Sequence, residues 1–351
     1  MRLALNLGYW GARNEATAGL RLAREAERLG FSCVWAAEAY GSDAVSVLAW
    51  LAAQTERIEL GAAVLQIPAR SPAMTAMTAA TLDALSDGRF RLGLGVSGPQ
   101  VSEGWHGVRF ADPLGRTREY VDVVRLALAR KQRVSYEGEH IRLPLPDGPG
   151  KPLMLSVHPV RERVPVYLAS LGPRNLELTG EIADGWLGLF VSPRQLDEPL
   201  GHIRAGQERS GRSMEGFDVA ASVPLVVGDD PAACADRVRP YAALYVGGMG
   251  SRKRNFYRDV AARLGYGEAA ATVQDRFLAR DYAAAGAALP FELLDETSLL
   301  GDEARLADRM AAYAGAGVTT LSVSLQGGSP DEQLASLATA AAALDRSGVS
   351  S

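Results

Sequence analysis

The chain has 351 residues, of which 47% are hydrophobic and 22% are charged, and its formal net charge is −4. A chain of this size can bury a large core without disulfides or metals, and its charge gives no reason to expect nucleic acid or an anionic membrane as a partner. The two cysteines, Cys33 and Cys234, form no disulfide framework, and no apolar run reaches the roughly 18 residues of a membrane span. We therefore expect a cytoplasmic protein.

Short apolar runs alternate with longer segments of helical periodicity, which is typical of repeated strand–helix units with a parallel sheet. The runs that predict strands lie at residues 3–7, 31–36, 57–64, 90–96, 164–169, 186–190, 219–227 and 319–325. Eight such units in a chain of this length favour an α/β fold of the (β/α)8 TIM-barrel type over an open doubly wound sheet. We expect one domain over residues 1–351, with a hairpin insertion after helix 4 and a helical insertion at about 245–300, between strands 7 and 8.

Several helix ends are marked by their residues. Gly30 is placed to end helix 1, Asp43 can cap helix 2, and Ser71 followed by Pro72 is typical of the start of helix 3. Asp230 and Pro231 predict the start of helix 7 in the same way. In a barrel of this type, ligands bind the loops that follow the strands, so function is to be sought in those loops.

Familiar catalytic motifs are missing from the sequence. No two of the four histidines have metal-ligand spacing, and neither a nucleophile elbow nor a Walker A motif occurs. We expect no metal site. Residues 93–98 match G-x-G-x-x-G, but the first glycines lie inside a predicted strand and Pro99 is not expected to begin a helix. Alternatively, Gly93 and Gly95 thin the strand so that another group, such as a flat cofactor, can lie against it.

Two loops carry ionisable groups at the predicted ligand-binding face. Glu38 follows strand 2, where its carboxylate either faces the barrel mouth or pairs with a neighbouring arginine. The loop after strand 4, at 97–107, places Glu103, Trp105 and His106 among glycines. Either Trp105 and His106 have a functional role, or Trp105 anchors the core and His106 is a polar residue whose hydrogen bonds are satisfied within the protein.

The turn after strand 5 is the third candidate, with the sequence Ala169-Ser170-Leu171-Gly172-Pro173-Arg174-Asn175. Exposed backbone N–H groups at the start of a helix can bind an anion. Ser170 could add a hydroxyl donor and Arg174 a positive charge. An ordinary strand–helix turn is the equal alternative.

Taken together, these segments resemble the luciferase-like class of flavin and deazaflavin oxidoreductases, and most closely its actinobacterial branch that uses coenzyme F420. The resemblance covers nearly the whole chain. It is carried by residues 97–107 with 116–120, by 169–175 with 183–186, and by 245–250 with 255–257.

The resemblance implies a cofactor site at the barrel mouth. The deazaflavin ring would lie against a bulge in strand 3, at a non-prolyl cis peptide between Ala63 and Val64. A polar edge of the deazaflavin ring would border Ser97 and Gly98. The coenzyme phosphate would bind the turn that comprises Ala169, Ser170, Leu171, Gly172 and Pro173.

The resemblance also implies hydride transfer at C5 of the deazaflavin, with a proton handled by Glu38, Glu103 or His106. Substrate contacts would come from Tyr40, Trp105 and Met249. Relatives that oxidise glucose 6-phosphate place an acid followed by histidine after strand 2, whereas this chain has alanine after Glu38. We therefore expect a reductase of an activated C=C, C=N or C=O bond.

Two alternatives remain open from the sequence. One is an FMNH2-dependent monooxygenase on the same fold, with FMN as its cofactor. The other is a flavin or deazaflavin carrier without enzymatic activity. Relatives further suggest a homodimer or a higher homo-oligomer.

Overall fold

Eight parallel strands close into a barrel in the computed structural model, which describes residues 1–10 and 15–350. Each strand pairs with the next along the chain, and β8 returns to β1 with Arg2 opposite Thr320. The predicted (β/α)8 barrel is confirmed. The barrel strands are β1 Arg2–Asn6, β2 Cys33–Ala36, β3 Glu59–Ala62, β4 Phe90–Gly95, β5 Val166–Ala169, β6 Gly185–Leu189, β7 Asp218–Val227 and β8 Thr320–Leu325.

An outer layer of helices follows the strands. Three helix ends are as the sequence predicts: Gly30 has a φ of +80°, and the side chains of Asp43 and Ser71 accept backbone N–H groups at the starts of α2 and α3. The helices are α1 Glu15–Arg28, α2 Ala44–Ala52, α3 Pro72–Leu85, α4 Pro113–Ala129, α5 Pro173–Ile182, α6 Asp197–Arg209, α7 Glu303–Gly315 and α8 Pro330–Ser347. None of the described helices is long and apolar enough to cross a membrane.

The first insertion is a small hairpin after α4, with strands Tyr136–Glu137 and Arg142–Leu143. Its turn is organised by the Glu119 carboxylate, which accepts the backbone N–H groups of residues 139, 140 and 141 at 2.8–2.9 Å. A single side chain of α4 therefore anchors the hairpin to the barrel.

The second insertion is longer than the sequence predicts. Asp230 caps a helix as expected, but this helix, Pro231–Ala243, packs against the helices of the insertion as well as against β7, whereas α7 packs on α8. We call residues 231–296 the cap, because they pack over the ends of β6 and β7 around a hydrophobic cluster of their own. Its other helices are Phe256–Ala261, Gly267–Leu278, Tyr282–Ala287 and Phe291–Glu296, and a short strand, Leu299–Gly301, then pairs with β7.

Polar side chains fill the barrel interior at the amino ends of the strands. Arg91 donates to Asp218 at 2.9 Å and to the Tyr167 hydroxyl at 2.7 Å, and it also pairs with Glu59. Burial comes first among the causes that raise the pKa of Tyr167, followed by the Asp218 carboxylate. Because this network occupies one end of the barrel, a ligand has to approach from the carboxyl ends of the strands.

Candidate active site

The chain after β3 forms an irregular segment at the barrel mouth. The Ala63–Val64 peptide bond is cis, as predicted, and Leu65–Gln66 then pairs with Leu94 and Gly95 of β4. The side chain of Ala63 packs against an interior cluster that contains Trp35. This segment therefore forms part of the wall that faces the barrel mouth.

Gly93 and Gly95 of β4 make room for this same segment. A Cβ atom on Gly93 would lie 1.8 Å from the carbonyl oxygen of Ala62, and one on Gly95 would lie 2.6 Å from a methyl carbon of Val64. The close approach expected from the sequence is therefore made by the chain itself, not by a cofactor. A short helix, Pro99–Gly104, does follow the strand, contrary to expectation, but only after Ser97 and Gly98.

Glu38 lies at the end of β2 in a buried ion pair. Both of its carboxylate oxygens accept from Arg70, and one also accepts the backbone N–H of Gln66 at 3.0 Å. Arg70 in turn donates to Asp43 at 2.9 Å. Burial would lower the pKa of Arg70, but Glu38 and Asp43 raise it above its ordinary value. This is the ion-pair alternative, and it argues against Glu38 as the group that exchanges a proton with substrate.

His106 joins this network through Gln66. Its Nε2 atom lies 2.6 Å from Oε1 of Gln66, whose Nε2 donates to the carbonyl oxygen of Glu38 at 3.1 Å. Because that donation fixes the orientation of the amide, the Nε2 atom of His106 must be the donor to Gln66. Within residues 1–10 and 15–350, Nδ1 of His106 has no hydrogen-bond partner. The half-buried imidazole is therefore oriented, with one nitrogen left for a ligand.

Gln66 was not singled out from the sequence. It is 5% exposed, between the apolar residues Leu65 and Ile67. A lone amide in an apolar run at the carboxyl end of a barrel strand is the signal that could have identified it.

The other two residues singled out in the loop after β4 face outward. Glu103 accepts the backbone N–H of Phe110 at 3.0 Å and lies 3.6 Å from Arg109, so its contacts are with its own loop. Trp105 is 65% exposed and is not a core anchor. Ser97 has a φ of +60°, and Gly98 is the N-cap of the short helix that follows.

The turn after β5 is held in place by hydrogen bonds with side chains of α5 and β6. Thr179 donates its hydroxyl to Asn175, so the hydroxyl of Ser170, 2.8 Å from that of Thr179, is itself the donor in their contact. The Ser170 carbonyl oxygen accepts from Trp186 at 2.9 Å. The expectation that the Ser170 hydroxyl serves a ligand is therefore wrong, because the side chain is buried and its proton is already used.

The start of α5 nevertheless fits an anion. Gly172 is its N-cap, no side chain caps it, and no atom lies within 4 Å of the position of a Cβ on Gly172. The backbone N–H groups of the first turn therefore face open space next to an exposed Arg174. Arg263 of the cap donates to the carbonyl oxygen of Leu171 at 2.6 Å and fixes the same turn from its other side.

Aromatic rings line the cap side of the barrel mouth. Tyr40 is 55% exposed, and its ring centre lies 6.4 Å from that of Tyr9. Met249 is half-buried at the end of the cap turn Leu244–Gly248. Several other rings, which the sequence reasoning did not single out, join Tyr9 and Tyr40 in what we call the aromatic wall: Tyr9, Tyr40, Phe190, Tyr241, Tyr245 and Tyr257.

Nothing in the described part of the chain groups three or more histidine, cysteine, aspartate or glutamate side chains as a metal site would.

Comparison with known proteins bears on the family and the function of the chain. A family model described as luciferase-like monooxygenase matches residues 5–320.

The chain belongs to the luciferase-like family. Among its relatives is a Mycobacterium tuberculosis protein provisionally assigned as a coenzyme F420-dependent oxidoreductase, 43% identical over 343 residues, which are 96% of this chain and 99% of the relative. The 5,10-methylenetetrahydromethanopterin reductase of Methanolobus tindarius is 32% identical over 227 residues, 64% of this chain and 66% of that protein.

A solved structure shows the same fold. The coenzyme F420-dependent tetrahydromethanopterin reductase of Methanopyrus kandleri superposes with a TM-score of 0.80 at 23% identity. The superposition covers 96% of this chain and 97% of the other. The barrel and its cap are therefore shared with this structure nearly end to end.

Proposed function

We propose that this luciferase-like protein is a coenzyme F420-dependent oxidoreductase that reduces an activated C=C, C=N or C=O bond of a small organic substrate. The observation that carries the proposal is the 43% identity, along 96% of the chain, to the Mycobacterium tuberculosis protein that is provisionally assigned as an F420-dependent oxidoreductase. The reductase direction is supported by the Methanolobus relative, a reductase by name, and by Ala39, which stands where sugar-phosphate dehydrogenases place a histidine. The resemblance also supports a cytoplasmic homodimer.

The residues at the barrel mouth fit the cofactor. Ala63 and Val64, at the cis peptide bond, offer a backbone surface with small side chains on which a flat ring would rest, and Ser97 and Gly98 would border its polar edge. The turn from Ala169 to Pro173 leads into α5, whose N-terminus is open and has no side-chain cap, so it can take the coenzyme phosphate. The deazaflavin, when bound, would supply the hydride at its C5 carbon.

His106 is the residue that we propose as the proton donor. Its Nε2–H is held by Gln66, so the ring cannot turn freely, and Nδ1 is the atom left to give or take a proton. Histidine exchanges protons readily near neutral pH. Glu38 would keep Gln66 and Arg70 in place, and Glu103 would brace its loop.

The cofactor assignment is tested by titrating the purified protein with oxidised F420 and, separately, with FMN. We expect saturable binding of F420 in stoichiometric amount and much weaker binding of FMN, measured by quenching of the fluorescence of each compound. Stoichiometric FMN binding without F420 binding would instead favour the monooxygenase alternative.

Replacing Gly172 with aspartate separates binding of the coenzyme from folding. The backbone at Gly172 is extended and its Cβ direction is open, so the new side chain can cap α5 without strain. We expect stability to change by only about a few tenths of a kcal/mol, whereas the carboxylate should weaken F420 binding by about tenfold or more, since it occupies the anion site. Fluorescence titration and thermal unfolding provide the two readouts.

Gly172→Ala is the matched control, because it adds a Cβ without a charge and should bind F420 as the unmodified protein does. If Gly172→Asp binds F420 normally, the coenzyme phosphate does not lie at the start of α5.

A further inference from the structure

We propose that the aromatic wall is the substrate-recognition surface, and that it selects an uncharged molecule with a flat ring conjugated to a carbonyl group. The proposal deepens the proposed function, because it concerns the substrate of the same barrel mouth.

The cap side of the wall is a compact set of rings. The ring centres of Tyr241 and Tyr245 are 4.7 Å apart, and those of Tyr245 and Tyr257 are 4.8 Å apart with the planes at 89°. Phe190, at the end of β6, lies 5.8 Å from Tyr245 and 6.2 Å from Tyr257. Separations of this size are typical of packed aromatic rings, and a substrate ring set against the wall would make contacts of the same kind.

The barrel side of the wall comes from the loops after β1 and β2. The phenols of Tyr9 and Tyr40 contribute to raising the pKa of Tyr245. The rings of the wall come from the loops after β1 and β2, from the end of β6 and from the cap. The carboxyl ends of the strands form the face where barrels of this type bind their ligands.

The wall consists of tyrosine and phenylalanine side chains and so brings no positive charge of its own. Burial is the first cause that raises the pKa of Tyr9, Tyr245 and Tyr257, and neighbouring tyrosines add to it. A phosphate or carboxylate that left water for this surface of rings would find no cation among the wall residues to compensate for its lost hydration.

The hydroxyl groups of the wall supply polar recognition. Burial is the main cause that raises the pKa of Tyr245 to about 12, so this phenol keeps its proton at neutral pH. Tyr241 is hydrogen-bonded to Tyr245, whereas the hydroxyl of Tyr257 makes no hydrogen bond within residues 1–10 and 15–350. A neutral phenol of this kind can donate to a carbonyl oxygen.

The test uses two compounds that share a ring and a double bond and differ in charge. Benzalacetone is an uncharged aromatic enone, and cinnamate carries a carboxylate in place of the ketone. Calorimetric titration of the full chain, with and without F420, should show benzalacetone binding about tenfold or more tightly than cinnamate. Tyr245→Leu should weaken benzalacetone binding by about tenfold, with F420 affinity unchanged.

Tyr282→Leu is the control, since Tyr282 is an exposed cap tyrosine that packs edge to face on Phe277, outside the wall. Tyr257→Phe keeps the ring and removes only the hydroxyl, so it still tests the wall if Tyr245→Leu fails to fold. Equal or tighter cinnamate binding, no binding of either compound, or benzalacetone binding that survives Tyr245→Leu would each overturn the proposal. Enone binding without F420 binding would instead support the wall as the substrate-recognition surface and overturn the cofactor assignment.

Discussion

His106→Gln is expected to lower kcat by about 10²–10⁴-fold, the usual contribution of a general acid, and to leave F420 affinity unchanged. Glutamine can still donate to Gln66, so the loop after β4 keeps its anchor, but an amide cannot carry the proton. Steady-state oxidation of reduced F420 with an enone acceptor measures the effect.

His158→Gln is the matched control, because His158 is an exposed loop histidine. Gln66→Leu should lower kcat less than His106→Gln and should alter the pH profile, because it frees the imidazole to adopt either tautomer. A His106→Gln enzyme that keeps a third or more of its kcat would assign the proton to another group.

Arg91→Leu is expected to lower the free energy of unfolding by about 3–5 kcal/mol, because it leaves the buried Asp218 carboxylate with only the more exposed Arg2 as a charged partner. Arg91 is 6% exposed, as is its partner Asp218. Denaturant unfolding of the variant measures the loss. Arg252→Leu breaks an exposed ion pair with Asp275 and should cost less than about 1 kcal/mol. Equal losses in the two variants would contradict the structural role of the network.

The same network predicts the acid sensitivity of the fold. Although burial raises the pKa of Asp218, a hydrogen bond from Thr319 and the charge of Arg91 lower it below its ordinary value. The ionised carboxylate therefore stabilises the fold above the ordinary aspartate pKa of about 3.9, and this contribution is lost as the pH falls toward the lowered value. Asp218→Asn should reduce the dependence of unfolding on pH in that acidic range.

Local sequence signals were sufficient to predict the barrel. Each strand is a short apolar run, and several helix ends carry a capping residue or a terminal glycine, so the order of elements follows from nearest neighbours in the chain. The boundary of the cap was missed because Asp230 and Pro231 mark a helix start equally well in a barrel and in an insertion. Only the packing of Pro231–Ala243 on the insertion distinguishes the two.

The candidate site was predicted only in part, because its contacts join residues that are distant in the chain. Glu38 and His106 are visible as polar residues after strands, but their connection through Gln66 depends on three different loops meeting. The hydrogen bond from the Ser170 hydroxyl to Thr179 is likewise a contact that spacing in the sequence does not predict. The aromatic wall draws its rings from both sides of the barrel mouth, so it too appears only in the folded chain.

The central claim is tested most directly by mixing the enzyme with reduced F420 and an uncharged enone, first without oxygen and then with it. The account predicts that oxidised F420 forms only when the enone is present, in a one-to-one ratio with reduced product, and that oxygen does not replace the acceptor. Turnover that instead requires reduced FMN and oxygen, with no oxidation of reduced F420 by any acceptor, would contradict it.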